Sequence, residues 1–177
     1  MFVLVTGGSG SGKSAFAEQK IVEAGELKRY YVATMECRDE ESVNRIRRHR
    51  EMRAGKRFET LECQRNLQDL VLEDKNCAVL LECMSNLCAN EYFDGEHHTP
   101  EEVADKIISG IEKLLDQCVC LVTVTNEVFS DAAELDAYSG QYLACMGMIN
   151  SRMAQMADCF AEVVYGIPVL HKKEKSV

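Results

Sequence analysis

Residues Gly7-Gly8-Ser9-Gly10-Ser11-Gly12-Lys13-Ser14 have the spacing GxxxxGK[ST]. Glycines at these positions let successive backbone N–H groups converge on phosphate oxygens without side-chain obstruction. A helix that follows directly adds the positive end of its dipole. Lys13 can then neutralise β- and γ-phosphates, and the Ser14 hydroxyl can ligate Mg²⁺. Such a phosphate loop needs an acid near the metal, usually at the end of a neighbouring apolar strand. Glu82, after Ala78-Val79-Leu80-Leu81, fits that role, and Glu127, after Val122-Thr123-Val124-Thr125-Asn126, is a second candidate.

A second constellation is the run RIRRHREMRAGKR at residues 45 to 57. On a helix, Arg45, His49 and Arg53 share one face. The acids Asp39, Glu40 and Glu41 precede the bases, as the helix dipole favours. A solvated charged helix is one reading. The other is a phosphate-binding lid in which crowding by guanidinium groups lowers the pKa of His49. A neutral imidazole is a competent nucleophile toward an α-phosphate, and the same arginines would steady the charge on the transferring group. His97 and His98 lie in the polar stretch GEHHTP and read as exposed loop residues.

These groups need a scaffold. Phe2 to Thr6 reads as a strand, followed by the glycine turn and a helix from Lys13 to Ala24. Tyr30 to Ala33 is a second strand, Asp39 to Arg53 a charged helix, and Ala78 to Leu81 a third strand. Met84 to Phe93 is half apolar. Thr99-Pro100-Glu101-Glu102 opens a helix that runs to Gln117, with a threonine cap, proline in the first position and acids in the first turn. Cys118 to Thr125 predicts a central strand, Ala137 to Ala157 a helix, and Ala161 to Tyr165 with Pro168 to Leu170 two short strands around Gly166. Strands of buried type alternating with helices imply a largely parallel sheet covered on both faces.

The 177 residues suit one domain, and with 46% apolar residues a well-buried core is feasible. No apolar run approaches the ~20 residues that span a bilayer. A formal net charge of -9 disfavours nucleic acid, and the basic run lacks interleaved aromatics. The nine cysteines form no CxxC pair and mostly sit in apolar surroundings, so they read as reduced core thiols of a cytoplasmic protein.

Taken in order, TGGSGSGKSAFAEQ, YVAT at 31–34, RIRRHREMR at 45–53, TLE at 60–62, VLLECMSNLCAN at 79–90, VTNEV at 124–128, AQMAD at 154–158 and GIPV at 166–169 form a specific set. With it the chain resembles the bifunctional adenosylcobinamide kinase / adenosylcobinamide-phosphate guanylyltransferase family of cobalamin biosynthesis. The resemblance implies an α/β, P-loop NTPase-like (RecA-like) fold: a mostly parallel sheet with helices on both faces, forming a single domain over 1–177. It implies phosphorylation of the corrinoid adenosylcobinamide by GTP or ATP. Transfer of GMP from GTP would follow through a guanylylated histidine, matching His49, to give adenosylcobinamide-GDP.

Lys13 would serve both steps. Gly7 to Ser14, Ala33, Thr34, Met35, Arg50, Arg53, Glu62 and Glu82 match nucleotide-binding positions, with Ser14 and Glu82 toward Mg²⁺. The family also implies a homotrimer.

The chain departs from the family pattern in places. Phe129-Ser130-Asp131-Ala132 lacks the usual glycines and proline, Leu143 and Ala144 stand where arginine and aspartate are expected, and Ser151 replaces a common glutamine. Two other readings therefore stay open, a P-loop kinase of another small alcohol and a degenerate nucleotide-binding subunit.

Overall fold

The structure is a computed structural model that describes residues 1–36, 47, 51, 53–96, 98–127 and 137–173. In chain order these form β1 (Phe2–Thr6), α1 (Lys13–Glu23), β2 (Lys28–Ala33), β3 (Phe58–Glu62), β4 (Cys77–Leu81), α2 (Met84–Tyr92), α3 (Pro100–Leu115), β5 (Cys120–Val124), α4 (Ala137–Met156), β6 (Cys159–Val164) and β7 (Ile167–Lys172). The strands make one seven-stranded sheet in the order β3-β2-β4-β5-β1-β6-β7. Among the described residues every pairing is parallel except the last, where β6 and β7 form an antiparallel hairpin.

Alternation along the central strands divides the core between two faces. Phe2, Leu4, Tyr30, Val32, Val79, Leu81 and Leu121 face one way and pack with Leu87, Ile107, Ile111 and Ile149 of α2, α3 and α4. Val3, Val5, Tyr31, Leu80, Val122 and Val124 face the other way and meet Ala17 and Ile21 of α1. Helices thus cover both faces, as the sequence pattern requires.

Local signals place most of these elements. At the start of α3, Thr99 accepts from the Glu102 backbone N–H at 3.2 Å and the Glu102 carboxylate accepts from Thr99 N–H at 2.9 Å. This reciprocal cap satisfies two orphan donors of the first turn. The segment Met84 to Phe93 is α2, and its final residue lies just outside the helix. The charged helix expected over Asp39 to Arg53 falls mostly outside the described residues, though Arg47, Glu51 and Arg53 are helical.

One strand has no counterpart in the sequence reading. β3, with the sequence FETLE, pairs with β2 at the sheet edge and leaves most of its side chains exposed or half-buried. An edge strand needs little apolar content, so periodicity carries little signal there.

Gly110 is where α3 comes nearest the short 3₁₀ turn Leu67–Asp69. A Cβ at Gly110 would lie 2.9 Å from the Leu67 Cβ and 3.0 Å from the Gln68 backbone N. Gly110→Ala gains about 1 kcal/mol of helix propensity. Overpacking against a backbone atom outweighs this, at roughly 1–3 kcal/mol. The expected net result is a Tm lowered by a few degrees, measurable by thermal melting.

Candidate active site

The phosphate loop leaves the C-terminal end of β1 and closes through glycine geometry. Gly7 (φ 151°), Gly10 (φ 70°) and Gly12 (φ 92°) all have positive φ. Any Cβ at Gly7 would sit 2.5 Å from the Val163 carbonyl oxygen, so no other residue fits between β1 and β6. Ser11 N–H donates to Gly8 O at 3.2 Å, tightening the turn. Gly12 is the N-cap of α1 and offers no side-chain cap, which leaves first-turn N–H groups available to an anion. The Lys13 ammonium donates to Gly8 O at 3.0 Å and so lies over its own loop.

A cleft of about 250 Å³ opens beside this loop, along the C-terminal ends of β1, β5, β4 and β2. It is lined by Ser9, Gly10, Gly12, Lys13, Ser14, Ala15, Met35, Glu82, Cys83, Asn86, Val124 and Asn126. The C-terminal edge of a parallel sheet is where such folds bind ligands. The structure also separates the two acid candidates. Glu82 lines the cleft although β5 lies between its strand and β1, so its strand is not the immediate neighbour. Glu127 follows the adjacent strand β5 but is exposed and outside the cleft.

Glu82 is held from several sides. Its carboxylate accepts from Thr34 N–H at 3.2 Å, and its own backbone N–H donates to Val32 O at 3.0 Å. The Tyr31 phenol lies near enough to feel the charge of this carboxylate. Burial, and after it the charge of Glu82, raises the Tyr31 pKa well above the usual phenol range, so the hydroxyl stays a donor. The Arg53 guanidinium stacks on the Tyr31 ring, 3.3 Å from its centroid. Arg53 is buried, and its Nη1 lacks a hydrogen-bond partner among the described residues. Arg53 is not one of the residues that line the cleft, and a buried cation with an unused donor suits an anionic partner. Thr34 is fully buried and donates from Oγ1 to Cys83 O at 2.9 Å, and Ala33 ends β2 just before it.

Seven of the expected residues therefore meet at one cleft: Ser9, Gly10, Gly12, Lys13, Ser14, Met35 and Glu82. Glu62 does not join them. It ends β3 and lines a separate, open recess with Glu36, Cys63, Gln64, Arg65, Asn66, Asp69 and Leu70. Asn90 spans the two regions, donating from Nδ2 to Thr34 O at 2.9 Å and to Gln64 O at 3.0 Å. His49 and Arg50 lie outside the described residues.

Cys83, expected among the core thiols, is half-buried and lines the cleft, as do Asn86 and Asn126, which carry no role in the sequence reading. Asn126 Nδ2 donates to Ser85 Oγ at 2.7 Å and approaches Cys83 Sγ at 3.6 Å, which fixes an amide at the cleft wall. All three residues sit inside motifs quoted for the family resemblance, LLECMSN and VTNEV, and that was the available signal.

The architecture is that of P-loop NTPase-like proteins. The chain is similar to the flagellar accessory protein FlaH of Methanocaldococcus jannaschii, with TM-score 0.53 and 10% identity, over 98% of this chain and 78% of that one. A second solved structure, an ATPase domain, is similar at TM-score 0.52, also 10% identical, over 99% and 78% of the two chains. A family model described as cobinamide kinase / cobinamide phosphate guanyltransferase matches residues 3–170, and the chain belongs to that family. It is 34% identical to the bifunctional adenosylcobalamin biosynthesis protein CobU of Salmonella typhimurium, over 96% of this chain and 98% of the relative. It is 33% identical to CobU of Escherichia coli over the same shares. The protein is accordingly a transferase of the kinase and guanylyltransferase type.

Proposed function

We propose that this chain performs both transfers of its family on one corrinoid. The γ-phosphoryl group of GTP or ATP passes to the hydroxyl of adenosylcobinamide. The His49 nitrogen then attacks the α-phosphate of GTP, releasing pyrophosphate, and the substrate phosphate displaces GMP from His49 to form adenosylcobinamide-GDP. The observation that carries this reading is the convergence of Lys13, Ser14, Glu82 and Asn126 on one cleft beside a glycine phosphate loop.

In that cleft the loop N–H groups and the Lys13 ammonium bind and orient the triphosphate. The Ser14 hydroxyl and the Glu82 carboxylate form a hard oxygen donor set that fits Mg²⁺. Bound there, the ion would supply charge neutralisation at the β- and γ-phosphates. Asn126 and Asn86 offer amide groups to an acceptor on the same wall. Arg53 would steady the phosphate that faces the basic segment.

The deciding assay supplies adenosylcobinamide, GTP and Mg²⁺, and detects phosphorylated and GDP-linked products separately. Both should accumulate in order. Phosphorylated product alone would leave a kinase only, and neither product a nucleotide-binding subunit.

Glu82→Gln keeps an acceptor for Thr34 N–H and removes the charge. Phosphoryl transfer should fall roughly 10–100-fold, with a higher Mg²⁺ requirement. A Mg²⁺ titration of initial rates checks this. The family reading further carries a homotrimer and a cytoplasmic location, which sizing and cell fractionation test. No helix among the described residues is long and apolar enough to cross a membrane.

A further inference from the structure

The hairpin that closes the sheet carries a residue that folding does not explain. Val164 pairs with Ile167, so Tyr165 and Gly166 form a two-residue turn. Both have positive φ, 49° and 82°. Such turns favour asparagine, aspartate or glycine at the first position, because a bulky side chain is strained in the left-handed region. Here a tyrosine occupies it. Packing does not account for the choice, because Tyr165 is 94% exposed. An outlier of this kind, held on a rigid element, points to a task outside the fold.

The turn is fastened to the phosphate loop. Gly166 N–H donates to Ser11 O at 2.7 Å, and a Cβ on Gly12 would lie 3.3 Å from Gly166 Cα. The turn therefore stands on the β6 flank of the loop. The opposite flank, toward β5 and β4, holds Ser14, Glu82 and Asn126. Those are the groups that act at the γ-phosphate end. In the pose that serves phosphoryl transfer, a triphosphate laid along the loop with its γ end in the cleft would send its α end, ribose and base out over β6. An exposed aromatic ring waits on that side.

We propose that Tyr165 is a base-stacking platform for the purine nucleotide that serves the phosphoryl transfer. The inference rests on the nucleotide-binding reading given above. It makes Tyr165 a binding residue that discriminates a nucleotide from bare polyphosphate, with no part in the chemistry. Stacking tolerates either purine, so the same platform accepts ATP and GTP.

Tyr165→Asn is the informative variant, since asparagine suits the turn and relieves its strain. The full-length wild type and variant are titrated calorimetrically with the β,γ-imido analogues of ATP and GTP, and with tripolyphosphate. The expected result is a roughly 10-fold weaker analogue affinity in Tyr165→Asn, with tripolyphosphate affinity unchanged and thermal stability equal or higher. Tyr165→Phe should bind as wild type. In kinetics, KM for the nucleotide rises while kcat holds.

Equal analogue affinity in wild type and Tyr165→Asn overturns the inference. So does a change of oligomeric state at unchanged affinity, which would assign the ring to a contact between copies of the chain. If wild type binds neither analogue nor tripolyphosphate, it is the nucleotide-binding reading itself that fails.

Discussion

His49→Ala should abolish the protein-bound label that α-labelled GTP leaves on the wild type. The GDP-linked product should disappear with it, while phosphorylated adenosylcobinamide continues to form. A histidine nucleophile makes a phosphoramidate, so the wild-type label should be acid-labile and alkali-stable. Without the nucleophile, the second transfer falls by roughly 10³-fold or more. The chain has four histidines, and the other three make poor substitutes. His98 pairs with Asp94 at 3.0 Å, and His171 pairs with Glu162 at 2.9 Å on the terminal hairpin. His97 neighbours His98 in sequence, far along the chain from the basic run. Single alanine variants of these three should label as wild type. Arg53 supports the assignment, because it stands four residues from His49 in sequence and its guanidinium lies on Tyr31, whose phenol feels the charge of the cleft acid Glu82. A His49→Ala protein that labels fully would remove histidine 49 from the mechanism.

The parts of this molecule that could be read from sequence are those with local causes. The β1 strand, the glycine loop and the α1 helix follow one another within two dozen residues, and each constrains the next. The α3 start is written in four residues, Thr99 to Glu102, because a capping box is a local hydrogen-bond exchange. Glycine spacing alone fixes where phosphate can approach, so the loop is legible without its neighbours.

What was not legible depends on long-range order. Both Glu82 and Glu127 follow apolar strands, and strand pattern alone does not say which one lines the cleft. β5 runs beside β1, yet beyond Val124 it is Asn126, not Glu127, that reaches the cleft wall, while Glu82 reaches it from the end of β4. Cys83 and Asn126 come from segments 43 residues apart, and their shared wall exists only once β4 and β5 pair. The expectation that Glu62 belongs with the other nucleotide-binding positions meets a spatial fact of the same kind. It ends the edge strand β3 and opens on a different recess, tied to the main cleft through Asn90. The Tyr165 turn is local, yet periodicity marks only a break between two strands there, and the strain becomes visible with the backbone angles.

Lys13→Ala should lower both transfers by roughly 10²–10³-fold and leave the melting temperature near that of the wild type. The two halves of this expectation have different origins. Stability holds because the ammonium lies over a surface loop, bonded to Gly8 O, with no part in either apolar layer. Replacing a polar group at the surface, far from the core, changes stability by about 0.5 kcal/mol or less. Activity falls because the ammonium brings a full positive charge to a loop whose backbone donors are neutral N–H groups. Charge builds on the β,γ-bridge during phosphoryl transfer and on the leaving pyrophosphate during guanylylation, so one cation serves both. Lys13→Arg should not rescue the rate, since a planar guanidinium cannot settle as a compact point charge among the glycines. If Lys13→Ala lost the kinase step alone, with α-labelling intact, the triphosphate of the second reaction would have to bind away from this loop. Parallel measurement of both products on one variant therefore tests whether a single phosphate site serves two chemistries.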